Sequence, residues 1–249
     1  MEFPAELRDK INELTEREDL NALRTAAARL TECTNITCIE REKNMPELGR
    51  ELCECAGVSA VWEQRDISQG ISESADLVIC SYCLNELAED KRKAVIAELA
   101  RAAEKLLVIV EPGTPFSFED MKKTRQELLS KGMKISAPCP HENACPLPCG
   151  DWCHFTARVQ RSRLHKMLKN ANVPYEDEKF CFLAAAKENA APCEARVLRR
   201  PIIQSGRITL ELCGTDGIKT ETVTKKSPLF KAARKSESGG EFPPERSRS

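Results

Sequence analysis

The stretch PCPHENACPLPCGDWCHF, residues 138–155, constrains this chain more than any other part of its sequence. Four cysteines fall within fifteen residues, whereas the chain's 13 cysteines in 249 residues would place roughly one in such a window. Four prolines in the same stretch exclude a regular helix and stiffen the backbone. Thiols on a stiff loop are held near one another before an ion arrives, so the stretch predicts a metal-binding loop. The candidate ligands are Cys139, Cys145, Cys149 and Cys153.

The spacing of these cysteines leaves the identity of the metal open. Four thiolates suit a tetrahedral zinc ion as well as an iron–sulfur cluster. The gaps of five, three and three residues are wider than the two-residue gaps typical of zinc knuckles, which favours the larger group. We expect the neighbouring His141 and His154 to donate hydrogen bonds beside the site rather than to bind the metal.

Cysteine usage and charge pattern bear on the compartment. An odd number of cysteines in a mid-sized chain is atypical of a secreted disulfide scaffold and favours a reducing cytosol. No run of 18 apolar residues is present, which excludes a membrane-spanning helix of the usual kind. The acidic N-terminal residues argue against a signal peptide, so we expect a cytoplasmic protein.

Apolar runs alternate with amphipathic stretches through the first half of the chain. This order is typical of an α/β fold with a doubly wound, largely parallel sheet. Predicted strands cover residues 35–41, 58–67, 76–82 and 105–110, and predicted helices cover 4–31, 46–56, 89–103 and 117–132.

Polar residues follow the carboxyl ends of these strands, where open α/β sheets bind their ligands. An acid after one strand, Glu40, can accept both ribose hydroxyls of a nucleoside cofactor, and Asp66 after the next can accept an adenine amino group. The alternative is that both are ordinary solvated acids. Residues 81–85 and Glu111 occupy the corresponding ends of the next two strands, and we predict Glu40, Asp66 and Ser81 as cofactor-binding residues.

The order of elements resembles class I methyltransferases that use S-adenosylmethionine (SAM). Such proteins open with a strand and a glycine-rich turn, but no glycine precedes Asn35 here. The recognisable first strand and glycine-rich loop are therefore lacking, either because this chain does not contain them or because the pocket has been lost. In an active enzyme, the turn at 81–86 would face the substrate, with Asn85 or Glu86 orienting a nucleobase.

A basic stretch without acids, residues 157–170, follows the cysteine loop and is predicted as a helix. Its cations would neutralise RNA phosphates, although a solvated helix face is an equally ordinary reading. Residues 180–184 predict a strand, and residues 195–224 predict two or three antiparallel strands, with turns at 205–206 and 215–217. From residue 225 the polar composition predicts a disordered, mildly basic tail. The predicted RNA-binding residues are Arg158, Arg161, Arg163 and Lys166.

Several motifs resemble the ribosomal small-subunit assembly methyltransferase-like family: EPGTPFSFEDMKKTRQELL, APCPHENACP, DWCHF and RKSESGGEFPP. The resemblance runs from about Ile36 into the tail. It implies a SAM-dependent methyltransferase fold, small-subunit ribosomal RNA as the partner, and a structural [4Fe–4S] cluster. Bacterial, archaeal and mitochondrial members imply a mitochondrial location if the source is eukaryotic. The cluster ligands that the resemblance implies are Cys139, Cys145, Cys153 and the distant Cys213, which leaves Cys149 spare.

Three hypotheses about function follow. The chain is a ribosomal RNA methyltransferase, a non-catalytic assembly factor that binds small-subunit RNA through a cluster-bearing or zinc-bearing module, or a redox or radical enzyme. The predicted regions are a helical segment at 1–34, a methyltransferase-like domain at 35–135, a metal- and RNA-binding region at 136–224 and the tail at 225–249.

Overall fold

The computed structural model describes residues 35–57, 59–161, 166–167, 173–188 and 192–243. The predicted helix over 4–31 lies outside these residues, as does any first strand before residue 35. The described residues form two compact units, of which the first contains 35–70 and 158–177 and the second contains 71–157 and 178–243. None of the described helices is long and apolar enough to cross a membrane.

The first unit is built around a strand–helix–strand element. Strand β1 (Thr37–Glu40) and strand β2 (Val61–Gln64) pair in parallel, and helix α1 (Met45–Ala56) connects them. Pro46 occupies the first turn of α1, where its missing N–H costs no helical hydrogen bond. Gly57 ends α1 with φ of 70°, a left-handed conformation that glycine adopts without strain. The parallel pair and its helix confirm the prediction for residues 35–67.

The second unit contains a mixed sheet in the order β3-β4-β7-β5. Strands β3 (Ala75–Ser81) and β4 (Ala103–Pro112) are parallel, while β7 (Tyr175–Ala186) runs antiparallel to both β4 and β5 (Lys134–Ala137). Helix α2 (Glu89–Ala102) joins β3 to β4, and helix α3 (Pro115–Ser130) joins β4 to β5. Apolar side chains fill the core between this sheet and its helices. The largest of them include Leu107, Ile109, Leu128, Ile135 and Leu183.

The α/β class is therefore confirmed, whereas the antiparallel direction of β7 departs from the largely parallel sheet that was predicted. Strand β7 belongs to the same sheet as β4, so the sheet does not end near residue 135 as the predicted regions require. The physical reason is that β7 is apolar where it crosses the core, at Cys181, Leu183 and Ala185, and buries these side chains by pairing with β4.

A separate antiparallel sheet follows within the second unit. It comprises β8 (Ala195–Val197), β9 (Ile202–Gln204), β10 (Arg207–Gly214) and β11 (Gly217–Thr224). Strand β10 pairs with the other three, and tight turns lie at 205–206 and 215–216. Gly206 has φ of 80°, which suits glycine at such a turn. These strands agree with those predicted for residues 195–224.

The structure corrects the prediction of a disordered tail from residue 225. Residues 230–235 form helix α4 (Phe230–Lys235), and Phe242 is 2% exposed. The Phe242 N–H donates to the Ala195 carbonyl oxygen at 2.9 Å, which fixes the segment to β8. A few apolar side chains pack onto the antiparallel sheet although the segment is polar on average, and for this reason composition alone was misleading.

The predicted basic helix over 157–170 also differs from the structure. Residues 155–160 form a strand, β6 (Phe155–Gln160), which pairs with β7. Its buried Phe155 and the branched side chains of Thr156 and Val159 suit a pleated strand better than a helix. Residues 162–165 and 168–172 lie outside the described part of the chain.

Candidate metal centre

The cysteine loop leaves β5 and contains no helix or strand between Pro138 and His154. Hydrogen bonds near both ends of the loop hold it against the rest of the second unit. Arg125 of α3 donates to the His141 carbonyl oxygen at 2.6 Å, and the indole N–H of Trp152 donates to the Gly113 carbonyl oxygen at 3.0 Å. The Trp152 and His154 rings stack with centroids 5.1 Å apart. The loop is thus positioned by specific hydrogen bonds.

Five thiols from three separate parts of the chain line a single cavity of about 50 Å³. That volume is several times the roughly 10–15 Å³ that one water molecule requires. Three thiols come from the loop, one from the end of β10 and one from β7. Cys149 is exposed and does not line the cavity. The four cysteines that the family resemblance implied, Cys139, Cys145, Cys153 and Cys213, all line the cavity, and Cys181 lines it too, with its thiol 3.5 Å from the Pro112 carbonyl oxygen.

Burial makes this cavity unfavourable for several uncompensated thiolates. Burial and the neighbouring thiols raise the pKa of Cys153 well above its ordinary value, and the same effects raise the pKa of Cys213 to about 12. Burial also raises the pKa of Cys139, against which the nearby Arg125 guanidinium acts. Four thiolates in this space therefore require positive charge, which a metal centre supplies.

Two buried guanidinium groups stand beside the thiols. Arg196, 7% exposed, donates to the carbonyl oxygens of Pro138 and Gly239 at 3.0 Å each and pairs with Glu241 at 3.5 Å. Arg125, 4% exposed, has two nitrogens, Nε and Nη1, that are buried without a hydrogen-bond partner among the described residues. Buried, unpaired donors next to thiols fit an anionic group, and a thiolate-bound iron–sulfur cluster is such a group.

A single metal ion fits this arrangement poorly. Among the described residues, no three His, Cys, Asp or Glu side chains converge closely enough to bind one ion. Zinc with four thiolates requires Zn–S distances of about 2.3 Å, which brings the sulfurs to within about 3.8 Å of one another. In a four-iron cluster each thiolate binds a different iron, so the sulfurs lie farther apart. The described thiols do not converge as one zinc ion would require, which leaves a wider group such as a cluster as a proposal; His141 Nε2 lies 3.7 Å from the Cys213 sulfur.

The predicted cofactor acids lie at one edge of the parallel pair in the first unit. Glu40 ends β1, and Asp66 follows β2, its neighbour in the sheet. Each carboxylate already accepts a local backbone N–H: Glu40 from Glu42 at 2.9 Å, and Asp66 from Ser68 at 2.8 Å. Ser81 ends β3 in the second unit. The structure thus brings the two acids to a common sheet edge, and their part in cofactor binding stays a prediction.

Glu111 organises the turn after β3, a role that its position at the end of β4 did not reveal. Its carboxylate is 2% exposed and accepts the Leu84 N–H at 2.9 Å. The turn includes Tyr82 with φ of 55°, an uncommon conformation for a bulky residue. The Asn85 amide donates to the Ser117 hydroxyl at 2.9 Å. Asn85 is therefore engaged within the protein, while Glu86 is exposed.

Replacement of Glu111 by Gln tests the electrostatic cost of this buried carboxylate. Burial raises the pKa of Glu111 above its ordinary 4.5, although backbone N–H groups and Arg92 oppose the shift. The folded chain then holds the proton more tightly than the unfolded chain, so this group's contribution to stability falls as the pH rises from 4.5 through the raised pKa. We expect the Gln variant to gain stability relative to the wild type between pH 4.5 and 7 in urea unfolding. The exposed Glu119→Gln change is the control, and an equal gain there would refute the assignment.

Two of the predicted RNA-binding arginines are paired with acids of β7. Arg158 makes two hydrogen bonds to Asp177, at 2.7 and 2.9 Å, and its guanidinium lies 4.0 Å from the centroid of the Tyr175 ring. Arg161 pairs with Glu176 at 3.3 Å. Lys166 is helical and partly buried, and Arg163 lies outside the described residues. The sequence could not reveal these acids as partners because they lie on a neighbouring strand.

Comparison with known proteins gives a family and several weaker similarities. The human protein named "Ribosome assembly protein METTL17, mitochondrial" is 29% identical over 157 residues, which cover 57% of this chain and 33% of that protein. The chain thus spans about a third of the length of this relative. TehB from Haemophilus influenzae is 16% identical with a TM-score of 0.40, covering 62% of this chain and 50% of that one. Magnesium protoporphyrin IX methyltransferase from Synechocystis is 13% identical with a TM-score of 0.39, covering 68% and 83%.

A family model covers far more of the chain than any of these relatives. The model described as "Mitochondrial small ribosomal subunit Rsm22" matches residues 20–243. That range includes the cysteine loop, both sheets of the second unit and the C-terminal helix. The chain is therefore a member of the Rsm22 family.

Proposed function

We propose that this chain is an assembly factor of the small ribosomal subunit that carries a structural [4Fe–4S] cluster. The single observation that carries the cluster is the cavity where Cys139, Cys145 and Cys153 meet Cys213 beside two buried arginines. The ribosomal role is supported by the descriptions of the matching family and of the human relative. Because the chain spans only a third of that relative, the role of the whole protein is part of the proposal.

The cluster would act by connecting two parts of the second unit. When bound, it supplies iron–thiolate bonds that cross-link the cysteine loop to the end of β10. The chain's own residues hold the site: Arg125 and Arg196 offset negative charge, and the fold keeps Cys213 facing the loop. A buried, cross-linking role favours structure over electron transfer. The redox or radical enzyme is therefore the weakest of the three hypotheses.

Whether the chain also transfers methyl groups from SAM is a separate question with its own test. The residues of the first unit that would hold SAM are Glu40 and Asp66, at the edge of the parallel pair. The alternative is a chain that binds small-subunit RNA without catalysis. In either case we propose that it works where its ribosome is assembled: the mitochondrion in a eukaryote, or the cytoplasm in a prokaryote.

Purification without oxygen tests the proposal directly. We expect a brown protein with about four iron and four sulfide per chain, and co-sedimentation with small-subunit particles from the same source. One zinc per chain and no visible absorption would eliminate the cluster. The same preparation is then incubated with labelled SAM. If the wild type retains the label and the Glu40→Ala, Asp66→Ala double variant does not, the result supports a cofactor pocket. If the wild type retains no label, the result favours the non-catalytic factor.

A further inference from the structure

The C-terminal segment KKSPLFKAARK, residues 225–235, is the most cationic ordered stretch that the structure describes. We call it the basic segment. It carries five cations and no acid in eleven residues, in a chain whose formal net charge is −1. All five cations are exposed, and none forms an ion pair within the described residues. They are Lys225, Lys226, Lys231, Arg234 and Lys235.

The fold fixes where these charges point. In helix α4, Ala233 is fully buried and Leu229 packs against the same apolar cluster. Lys231, Arg234 and Lys235 follow the three- and four-residue spacing of a single helix face, opposite Ala233. The apolar side of the helix is thus used by the core, and the outward side presents three neighbouring cations to the surroundings.

The end of the β10–β11 hairpin adds further positive charge. The Lys225 N–H donates to the Gly206 carbonyl oxygen at 3.0 Å, which holds this lysine at the open end of the hairpin, beside the 205–206 turn that joins β9 to β10. Arg207 is paired with Thr224 across the hairpin, and its side chain donates only to the neutral Gln204. Of the nearest acids in sequence, Glu221 already pairs with Lys219 at 3.3 Å, and the exposed Glu237, two residues beyond Lys235, offsets one of the five charges at most.

These cations repel one another in the free protein. Like charges three and four residues apart on a helix destabilise it, an effect partly offset by the favourable position of Arg234 and Lys235 in the last turn. A polyanion relieves this repulsion and releases its own counterions. The helix has no free apolar side for insertion into a membrane, and the basic segment has no exposed aromatic ring for stacking on bases.

We infer that the basic segment is a docking surface for the sugar-phosphate backbone of structured RNA, contacted by Lys231, Arg234 and Lys235 on α4 and by the lysines beside the hairpin. This inference rests on the proposed ribosomal function and moves the RNA contact away from Arg158 and Arg161, whose charges are paired with acids. Recognition through phosphates predicts affinity that depends strongly on salt and weakly on sequence.

The test compares two triple variants of the full chain that remove the same charge. Lys231→Gln, Arg234→Gln, Lys235→Gln changes the α4 face, and Lys43→Gln, Lys91→Gln, Lys187→Gln changes three exposed lysines elsewhere. The probe is a fluorescein-labelled RNA hairpin, titrated at several KCl concentrations. We expect the first triple to lose roughly 100-fold in affinity at about 0.1 M salt and its salt slope to fall by about 2 to 3. The second triple should stay within about twofold of the wild type.

The outcomes separate the surface from the function. Equal losses in both triples, or no loss in the first, would overturn the docking surface while leaving ribosomal association intact. A wild-type chain that binds neither the hairpin nor small-subunit particles would overturn both. Preferential binding to vesicles containing anionic phospholipid, with no RNA binding, would also reject the inference. Thermal unfolding of each triple verifies that both variants are folded.

Discussion

Replacement of Cys213 by serine is expected to abolish iron loading, although this residue lies sixty positions beyond the last cysteine of the loop. Serine cannot supply the thiolate that iron requires, and the remaining three thiols would leave one iron without its protein ligand. Loss of a cross-linking metal is among the few changes that destabilise a protein by more than about 3 kcal/mol. For a chain of this length, that corresponds to a fall in Tm of roughly 6–12 °C. Cys153→Ser should have the same effect, because its thiol lines the same cavity.

Cys149→Ser provides the matched control for these variants. It lies in the same loop but is exposed and away from the cavity, so iron content and Tm should stay at wild-type values. Iron and sulfide analysis of oxygen-free preparations, with thermal unfolding of the same samples, measures both effects. Iron loss in the Cys149 variant equal to that in the Cys213 variant would show that the ligand set is wrong. Full iron content in the Cys213 variant would show the same.

Replacement of Phe242 by alanine is expected to cost about 3–5 kcal/mol of unfolding free energy. Phe242 is 2% exposed and packs in the apolar cluster of the antiparallel sheet, so truncation removes buried area and leaves a cavity. Urea unfolding monitored by circular dichroism measures the change. The control is Phe116→Ala, a loss of the same side chain where it is 67% exposed, which should alter stability by less than about 0.5 kcal/mol.

The Phe242 result also decides whether the C-terminal segment belongs to the folded unit. A cost below about 1 kcal/mol would mean that residues 225–243 do not pack as the structure describes. The inferred RNA surface on α4 would then have no fixed geometry. A large cost instead supports a face held in place by Ala233 and Phe242 behind it.

Local patterns predicted much of the fold because they report on burial along one segment. The apolar runs at 76–82 and 105–110 predict strands covered on both faces; both are strands, but Ile79 in the first of them is 57% exposed. The apolar run around Leu183 likewise predicted a strand, yet nothing in it indicates whether the strand runs parallel or antiparallel. The direction depends on how the connecting segments bring the chain to β4 and β5, which is a property of the assembled sheet.

Charge patterns in the sequence were less informative, because the acids that pair with a cation can come from a distant part of the chain. Arg158 and Lys231 both lie in basic stretches, but β7 brings Asp177 to Arg158, while no acid comes to Lys231 within the described residues. Whether a cation is available to a partner depends on its neighbours across the fold. A basic stretch that itself contains no acid gives no information about an acid on an adjacent strand.

By itself, the sequence determined that a stiff loop would present a cluster of thiols and that parallel strands would precede it, because proline, cysteine density and apolar runs act through local chemistry. Only the tertiary structure decided which thiols meet. Pairing of β10 with β8 and β11 carries Cys213 to the loop and leaves Cys149 outside, and long-range strand register of this kind is an outcome of the whole fold.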